Sequence, residues 1–363
     1  MKKISLIGST GSIGRQVLDV VRRHPDEFAV AALVASSDAD GLERQKAEFS
    51  PEFSALASRD KQTALEAAEY GDIVFNAAGG FAGLEYSLKA IGAGKTLALA
   101  NKETLVCGGD LVMPLSEKKG VKILPVDSEH SAIWQCLGFD FKKKVRRLII
   151  TASGGAFRDY PPEKLRKVTP AQALAHPTWK MGKKITVDSA TLMNKGYEVI
   201  EAHVLYGTPY GDIEAVIQPQ SVIHSLVEFS DCSVLAQMGY PTMELPIQLA
   251  LSYPSRLDPA VAPMDFKSAF SLDFRPLDRE KYPCFKLALE CGKAGGIMPC
   301  VLNAADEVAV SAFLNGRIAF TDIARAVGDT VSAFERRDAE SFAQLSETDR
   351  SARIIAQKII DRL

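Results

Sequence analysis

Short apolar runs alternate with longer stretches of mixed polarity through residues 1–125. The runs have the length and β-branched content of buried strands, and the stretches between them show the apolar spacing of helices. This alternation is typical of a parallel sheet with helices on both faces, so it predicts an α/β, doubly wound, Rossmann-like domain. The predicted strands cover 3–7, 28–34, 53–56, 73–76, 96–99 and 122–125, and the predicted helices cover 12–23, 41–49, 61–69, 84–93 and 109–119.

The pattern changes after residue 126. Strand-like and helix-like segments then mix without regular alternation, which predicts an α+β domain. Prolines interrupt 253–283 and predict an extended linker, and the remaining apolar periodicity predicts a small helical bundle. We therefore expect four parts: 1–126, 127–252, 253–283 and 284–363. Their predicted helices cover 131–136, 192–206, 285–294, 300–314, 322–334 and 351–360, and their predicted strands cover 148–152, 213–217, 222–229 and 233–237.

Composition narrows the class of protein. The chain has 363 residues, 47% hydrophobic and 24% charged, with a formal net charge of −2. These values exclude a disordered tail or a disulfide miniprotein, and they argue against a general nucleic-acid binder. No apolar run approaches the roughly 20 residues of a membrane span, and the N-terminal segment turns polar after Ile7. We expect a cytoplasmic protein with no membrane or nucleic-acid partner, whose six scattered cysteines are small buried hydrophobes.

A glycine-rich turn follows the first predicted strand. Gly8, Gly11 and Gly14 stand in G-S-T-G-S-I-G, directly before the first predicted helix. Glycines in that context let backbone amides and a helix N-terminus approach a pyrophosphate, although a tight turn without a ligand is the alternative. After the second strand, where the cofactor ribose is usually bound, come Ser36, Ser37 and Asp38. The absence of a basic residue there slightly favours NAD over NADP as the cofactor. The alternative is that Asp38 only caps the next helix.

Three carboxylates are candidate metal ligands. Asp127 and Glu129 follow the sixth predicted strand, and in an extended segment their side chains would project to the same side. Glu198 lies one helical turn after Asn194. An oxygen-only set favours Mg²⁺ or Mn²⁺ over zinc. The alternatives are a solvated turn with a helix cap at Asp127 and Glu129, and an exposed ion pair between Lys195 and Glu198.

Two further features suggest a bound phosphate and a lid. Ser189 is predicted just before a helix, where its hydroxyl and the backbone amides would favour an anion. The loop from His176 to Gly182 carries Trp179 among polar residues. An exposed tryptophan suggests a lid that closes over a ligand, and a tryptophan buried in the core is the alternative.

Taken together, six segments resemble the 1-deoxy-D-xylulose 5-phosphate reductoisomerase family. The resemblance runs in order over essentially the whole chain and includes the helical C-terminal part. The segments are G-S-T-G-S-I-G from Gly8, A-N-K-E-T-L from Ala100, P-V-D-S-E-H-S from Pro125, A-S-G-G-A-F from Ala152, H-P-T-W-K-M-G from His176 and V-D-S-A-T-L-M-N-K-G from Val187.

The resemblance implies a reaction and a set of site residues. It implies conversion of 1-deoxy-D-xylulose 5-phosphate to 2-C-methyl-D-erythritol 4-phosphate in the non-mevalonate isoprenoid pathway, with NADPH, a divalent metal and a homodimer. The implied metal ligands are Asp127, Glu129 and Glu198, which also act in catalysis together with Lys102. The implied substrate contacts are Lys102, Ser128, Glu129, Ser153, His176, Trp179, Met181, Ser189, Asn194, Lys195 and Glu198. The implied cofactor contacts are Thr10, Gly11, Ser12, Ile13, Asn101, Glu103 and Gly182.

One segment departs from the family pattern. The family often has Gly-Lys-Asn where this chain has Ser36, Ser37 and Asp38, so the lysine expected near the 2′-phosphate is absent. We expect Asp38 to turn away as a helix cap and NADPH to be preferred by a reduced margin. The competing interpretations are another NAD(P)-dependent sugar-phosphate or semialdehyde dehydrogenase, and a non-catalytic nucleotide sensor.

Overall fold

The structure is a computed structural model that describes residues 1–259 and 261–363. Its strands are β1 (Lys2–Ile7), β2 (Phe28–Ala35), β3 (Phe53–Leu56), β4 (Ile73–Asn76), β5 (Thr96–Leu99), β6 (Ile123–Pro125), β7 (Arg147–Ala152), β8 (Ile213–Ile217), β9 (Ile223–Glu228), β10 (Val234–Met238) and β11 (Arg275–Pro276). Its α-helices are α1 (Ser12–Arg23), α2 (Ala39–Phe49), α3 (Lys61–Glu66), α4 (Gly83–Gly92), α5 (Glu103–Lys119), α6 (Ser128–Cys136), α7 (Pro170–Ala173), α8 (Lys183–Thr191), α9 (Met193–Tyr206), α10 (Glu244–Ser252), α11 (Pro283–Ala294), α12 (Met298–Leu314), α13 (Phe320–Ser332) and α14 (Phe342–Ile360).

The chain forms two compact units. The first contains residues 1–104, 111–131 and 242–266, and the second contains residues 105–110, 132–241 and 267–363. The four-part division expected from the sequence stays a prediction. No helix in the described parts of the chain is long and apolar enough to cross a membrane.

The first unit is built on a parallel sheet of six strands in the order β3-β2-β1-β4-β5-β6. The inner strands are buried, and in β1 the residues Ile4 and Leu6 are fully covered. The strand order reverses between β1 and β4, and in such sheets a ligand binds at this point, beyond the carboxyl ends of the strands. The predicted doubly wound sheet is confirmed.

The second unit contains a mixed sheet in the order β10-β9-β7-β8-β11. Strand β7 pairs parallel to β8 and antiparallel to β9. Apolar residues of β7, β8 and β9 form a core with Val199 of α9 and Phe285 of α11. Helices α11 to α14 make up the C-terminal helical part, where Val301, Ala304 and Ala352 form a smaller core. The predicted α+β and helical regions are therefore present.

Several predicted elements differ from the observed ones. Helices α8 and α10 were not predicted, because both are buried on nearly all sides and so lack an amphipathic pattern. Helix α5 begins at Glu103, six residues before its prediction, and continues through a kink at Gly108. Helix α14 begins at Phe342, nine residues before its prediction, with Ser341 as its N-cap. Within the described residues, the predicted linker holds the short strand β11 and the start of α11, and Ala260 lies outside them.

One cysteine departs from the prediction. All six cysteines are free and five are buried as small hydrophobes, but Cys232 is exposed. Its sulfur accepts a hydrogen bond from Arg146 Nη1 at 2.7 Å, in the loop between β9 and β10. Arg147, the first residue of β7, is paired with β9, since its Nε lies 2.6 Å from Glu228 Oε2.

Candidate active site

The glycine-rich turn joins β1 to α1 under tight steric limits. Gly8 has a positive φ of +82°, and a Cβ there would lie 2.4 Å from the carbonyl oxygen of Ala77. A Cβ on Gly14 would lie 2.3 Å from the carbonyl oxygen of Gly8. Both distances are too short for any side chain, so glycine is required where the turn packs against its neighbours.

The N-terminus of α1 suits an anion. Gly11 is the N-cap, and among the described residues no side chain accepts a hydrogen bond there and no acidic residue lies in the first turn. Thr10 and Ile13 are partly exposed, and Ser12 is exposed. The first amides of the helix and its dipole therefore face solvent at the carboxyl end of β1, where a pyrophosphate can bind.

Asp38 is the N-cap of α2. Its Oδ1 accepts a hydrogen bond from the amide of Gly41 at 2.9 Å, which confirms the predicted helix cap. Ser36 and Ser37 follow β2 and are exposed, so their hydroxyls can reach a ligand at this edge of the sheet. The carboxylate of Asp38 is committed to its own helix, which reduces its repulsion of a phosphate group.

Asn101 organises the loops after β4 and β5. It is 2% exposed, and its Nδ2 donates to the carbonyls of Ala78 at 2.9 Å and Gly80 at 3.0 Å and to Glu103 Oε2 at 2.8 Å. Its Oδ1 accepts from the amide and the hydroxyl of Thr104. The side chain thereby fixes the backbone on both sides of the sheet's carboxyl edge.

Lys102 and Asp127 form a nearly buried ion pair in the first unit. The Lys102 Nζ lies 2.5 Å from Asp127 Oδ2, and Lys102 is 8% exposed. Ser128 donates its hydroxyl to Glu129 Oε2 at 2.5 Å. A protein cation thus already balances one of the carboxylates that sequence reasoning assigned to a metal.

The extended geometry predicted for Asp127 and Glu129 is wrong. Helix α6 begins at Ser128, and the carbonyl of Asp127 accepts the amide of Ser131 at 2.8 Å. The two acidic residues therefore stand at a helix start, where the positive end of the helix dipole stabilises their charges. The structure thus shows the helix start that the alternative required, and Asp127 Oδ1 accepts the amide of Ser128 at 3.1 Å.

In the second unit, Asn194, Lys195 and Glu198 form a cluster on the first turns of α9. Asn194 Nδ2 donates to Glu198 Oε1 at 2.5 Å, and the ammonium of Lys195 contacts Glu198 Oε2. Lys195 is 3% exposed and Glu198 is 1% exposed. The ion pair that sequence reasoning placed at the surface therefore exists, but it is buried and held in one geometry by hydrogen bonds.

The predicted position of Ser189 is wrong. The residue lies in the last turn of α8, and Leu192, with a φ of +57°, separates α8 from α9. Ser189 therefore does not face a helix N-terminus. Its Oγ lies 3.4 Å from the Oγ of Ser153, which follows β7, so the fold pairs two hydroxyls that are far apart in the sequence.

His176 is tied to Ser153 in a defined tautomer. Its Nδ1 accepts the amides of Thr178 at 3.1 Å and Trp179 at 2.9 Å, so the ring proton resides on Nε2. Nε2 lies 2.9 Å from Ser153 Oγ and donates to it. Burial, together with the nearby guanidinium of Arg158, lowers the pKa of His176 to about 4. The imidazole is therefore neutral at physiological pH and leaves the Ser153 hydroxyl proton available to a ligand.

Trp179 has an intermediate environment. It is half-buried, and its ring meets His224 edge-on with 6.2 Å between the ring centroids. Met181 is also half-buried, and Gly182 is the exposed N-cap of α8. Trp179 is thus neither fully exposed, as the lid argument assumed, nor buried in the core, as its alternative required.

Known families match nearly the whole chain. A model described as 1-deoxy-D-xylulose 5-phosphate reductoisomerase matches residues 4–71 and 60–109, and models of the C-terminal domains of that enzyme match residues 123–206 and 238–355. The relative from Geobacillus kaustophilus is 50% identical and covers 99% of this chain and 100% of its own. The relative from Crocosphaera subtropica is 50% identical over 97% of this chain and 95% of its own. Both are named 1-deoxy-D-xylulose 5-phosphate reductoisomerase.

The chain belongs to the 1-deoxy-D-xylulose 5-phosphate reductoisomerase family. It is therefore an oxidoreductase, and neither a semialdehyde dehydrogenase nor a non-catalytic nucleotide sensor.

Solved structures of the family share the fold. A reductoisomerase from Zymomonas mobilis in complex with NADPH has a TM-score of 0.90 at 40% identity and covers 100% of both chains. A reductoisomerase in complex with NADPH, fosmidomycin and magnesium has a TM-score of 0.91 at 36% identity, with 99% of this chain and 98% of that chain covered.

Sequence reasoning missed two residues that organise this reductoisomerase around Ser153. Arg158 Nη1 donates to the carbonyls of Ser153 and Pro219, each at 3.0 Å. Gly155 has a φ of +67°, and a Cβ there would lie 2.5 Å from the carbonyl oxygen of Ser189. The Gly-Gly pair in A-S-G-G-A-F was the available signal for Gly155, whereas Arg158 had none.

Proposed function

We propose that this reductoisomerase converts 1-deoxy-D-xylulose 5-phosphate to 2-C-methyl-D-erythritol 4-phosphate, with NADPH and Mg²⁺ or Mn²⁺, in the non-mevalonate route to isoprenoids. The observation that carries the proposal is the match of about 50% identity, over nearly the full length, to relatives named for this substrate. Structural relatives that bind NADPH, magnesium and fosmidomycin support the choice of cofactors.

We propose that NADPH binds at the carboxyl edge of the parallel sheet. The exposed N-terminus of α1, with no acidic residue in its first turn, fits the pyrophosphate. NADPH supplies the hydride for the reduction when bound. The protein contributes hydroxyls at the ribose edge and the rigid loops that Asn101 fixes. The proposed contacts are Gly8, Thr10, Gly11, Ser12, Ile13, Ser36, Ser37, Asn101, Glu103 and Gly182.

We propose that Asp127, Glu129 and Glu198 hold the divalent metal. These donors are all carboxylate oxygens, which fit Mg²⁺ or Mn²⁺ and not a soft metal. When bound, the metal stabilises negative charge on the substrate's carbonyl and hydroxyl oxygens. Lys102 contacts Asp127, and Lys195 contacts Glu198, so each lysine holds a carboxylate in place and contributes positive charge beside an anionic substrate.

The proposed phosphate site consists of Ser153, Ser189, Asn194 and Lys195. Ser153 Oγ accepts the Nε2 proton of His176, so its own hydroxyl proton is free to point at a phosphate oxygen. Lys195 adds a buried positive charge. Phosphate binding at a distance from the reacting carbons supplies energy for orientation and closure. We further propose that Lys102 and Ser128 contact the substrate's hydroxyl region with Glu129 and Glu198, and that the lid is formed by His176, Trp179 and Met181.

We also propose a homodimer in the cytoplasm. Strand β10 lies at an edge of its sheet, and its Val234 and Leu235 side chains are 47% and 51% exposed. Exposed apolar residues on an edge strand favour pairing with a second copy. The six free cysteines suit a reducing compartment. The dimer is tested by comparing the sedimentation of the wild type with that of V234K. If β10 forms the interface, the variant should sediment as a smaller species.

A direct spectrophotometric assay tests the reaction. Purified protein is mixed with 1-deoxy-D-xylulose 5-phosphate, Mn²⁺ and NADPH while the nicotinamide absorbance is followed. Consumption of NADPH should require both the sugar phosphate and the metal. Oxidation of NADPH without the substrate, or full activity after exhaustive chelation, would contradict the proposal.

A further inference from the structure

A charge cluster in the second unit contains two buried carboxylates and includes none of the proposed site residues. The Nζ of Lys184, in the first turn of α8, is 2.6 Å from Asp188 Oδ2 and 2.7 Å from Asp306 Oδ2. The side chains of Asp188 and Asp306 are 3% and 0% exposed. Asp306 belongs to α12, so one ammonium joins two segments that are distant in the sequence.

The cluster extends to a third helix. The hydroxyl of Tyr197, on α9, donates to Asp306 Oδ2 at 3.3 Å. The Nζ of Lys184 also lies 5.0 Å from the centre of the Tyr197 ring, within the range of a cation–π interaction. Helices α8, α9 and α12 therefore meet at one set of charges.

The members of the cluster are neighbours of the proposed substrate residues. Asp188 directly precedes Ser189, and Lys184 comes two residues after Gly182, where the proposed lid ends. Any rotation or shift of α8 would move Ser189 and the end of the lid together. The cluster is thus placed to determine the position of both.

Stability alone is a weak reason for such a cluster. Burying two carboxylates has a large desolvation cost, which their attraction to Lys184, whose side chain is 30% exposed, offsets only in a precise geometry. An apolar contact of similar volume would hold α8 on α12 at least as strongly. Charges instead favour one arrangement of the helices, because any other arrangement would leave a buried carboxylate without its ammonium partner.

We propose that Lys184, Asp188 and Asp306 are positioning residues, which hold α8 on α12 so that Ser189 and the end of the lid are set for the sugar phosphate. The proposal rests on the phosphate-binding role proposed for Ser189. It assigns the C-terminal helices a part in substrate binding.

The principal variant is K184M, which removes the ammonium and leaves two buried carboxylates facing each other. Their repulsion should displace α8 and with it Ser189, which weakens binding of the phosphate group. We expect KM for the sugar phosphate to rise about 10-fold or more, with a smaller change in kcat and an unchanged Kd for NADPH. K184R keeps the charge and should restore KM to within about threefold of the wild type.

D306N provides a second route if K184M does not fold. It neutralises the partner on α12 and leaves the pair within α8 intact, so it should also raise KM. The matched control is R353M, because Arg353 pairs with Asp349 and with Glu307 of the same α12, each at 2.7 Å. R353M should lower Tm and leave KM unchanged, as expected of a purely structural ion pair.

S189A separates the failure of this inference from that of the proposed phosphate site. If S189A raises KM while folded K184M and D306N do not, the positioning role is refuted and the phosphate site stands. If S189A leaves KM unchanged, the phosphate role of Ser189 is wrong and the positioning proposal falls with it. Failure of both K184M and D306N to fold would make the cluster a stability element and would also overturn the proposal.

Discussion

The hydrogen bonds of His176 can be separated by two substitutions. In H176N, the amide oxygen can take the place of Nδ1 and accept the amides of Thr178 and Trp179, but nothing reaches Ser153. In H176Q, the longer amide can donate to Ser153 in place of Nε2, while the two loop amides lose their acceptor. The pair therefore tests the link to Ser153 independently of the loop.

The expected effect of H176N follows from one lost hydrogen bond. A neutral hydrogen bond contributes about 0.5–1.5 kcal/mol, so KM for the sugar phosphate should rise about 2- to 10-fold. H176Q should keep KM closer to the wild-type value. It should also change the fluorescence emission of Trp179, measured in a W134F background both with and without H176Q. Trp134 packs against Phe139 and Phe141, so phenylalanine suits its surroundings. Equal KM values in H176N and wild type, or a larger rise in H176Q, would refute the assigned link.

The lowered pKa of His176 adds a pH dependence. The folded imidazole has a pKa of about 4 against 6.5 for a free one, so between these values the unfolded chain binds a proton that the folded chain does not. Stability should therefore fall as pH falls from about 6.5 toward 4, and this side chain should contribute about 1–2 kcal/mol of that loss after solvent screening. Thermal unfolding of wild type and H176N across this range measures the difference. A His176 contribution that grows as pH rises above 7 would contradict the neutral form.

Three other substitutions test the remaining assignments. E198Q removes a proposed metal ligand, so it should weaken Mn²⁺ binding and turnover at least 10-fold and leave NADPH binding unchanged. An equal loss of NADPH affinity would contradict the metal role. S37K places a cation at the ribose edge of the proposed cofactor site. A charge-assisted contact contributes about 1.5–3 kcal/mol, so the ratio of kcat/KM for NADPH to that for NADH should rise about 10-fold. An unchanged ratio would show that Ser37 does not face the 2′-phosphate. G155A forces a Cβ against the backbone of Ser189 at positive φ, which should destabilise the protein by about 2–4 kcal/mol and raise KM, as checked by Tm and steady-state kinetics.

The local sequence was sufficient to predict features that depend only on neighbouring residues. Strands β3, β4 and β5 begin and end where the apolar runs do, because buried parallel strands require such runs. The turn at Gly8 and the cap at Asp38 were equally readable, since the positive φ of Gly8 and the hydrogen bond from Gly41 to Asp38 involve only neighbouring residues. The close approach of Gly8 to Ala77 was not visible in the sequence. The resemblance of ordered motifs then identified the family.

Two other elements could not be predicted correctly from the sequence, because their position depends on the surrounding structure. Residues 186–191 of α8 are all buried, so this helix has no polar face to produce a 3.6-residue pattern. The start of α6 at Ser128 was also misplaced, because an acidic residue in a first turn looks the same in sequence as one in an extended segment. Both errors changed the geometry inferred for candidate ligands.

The sequence by itself determined the succession of most strands and helices, the glycine-rich turn and the chemical types of the candidate site residues, because periodicity and backbone conformation act over a few neighbouring positions. Only the tertiary structure decided which polar side chains contact one another. It paired Ser153 with His176, Lys102 with Asp127 and Lys184 with Asp306. These contacts follow from how whole helices and strands pack, and burial then sets the protonation of His176 and encloses the charge of Lys195. The spacing of residues along the chain does not show which distant side chains will meet.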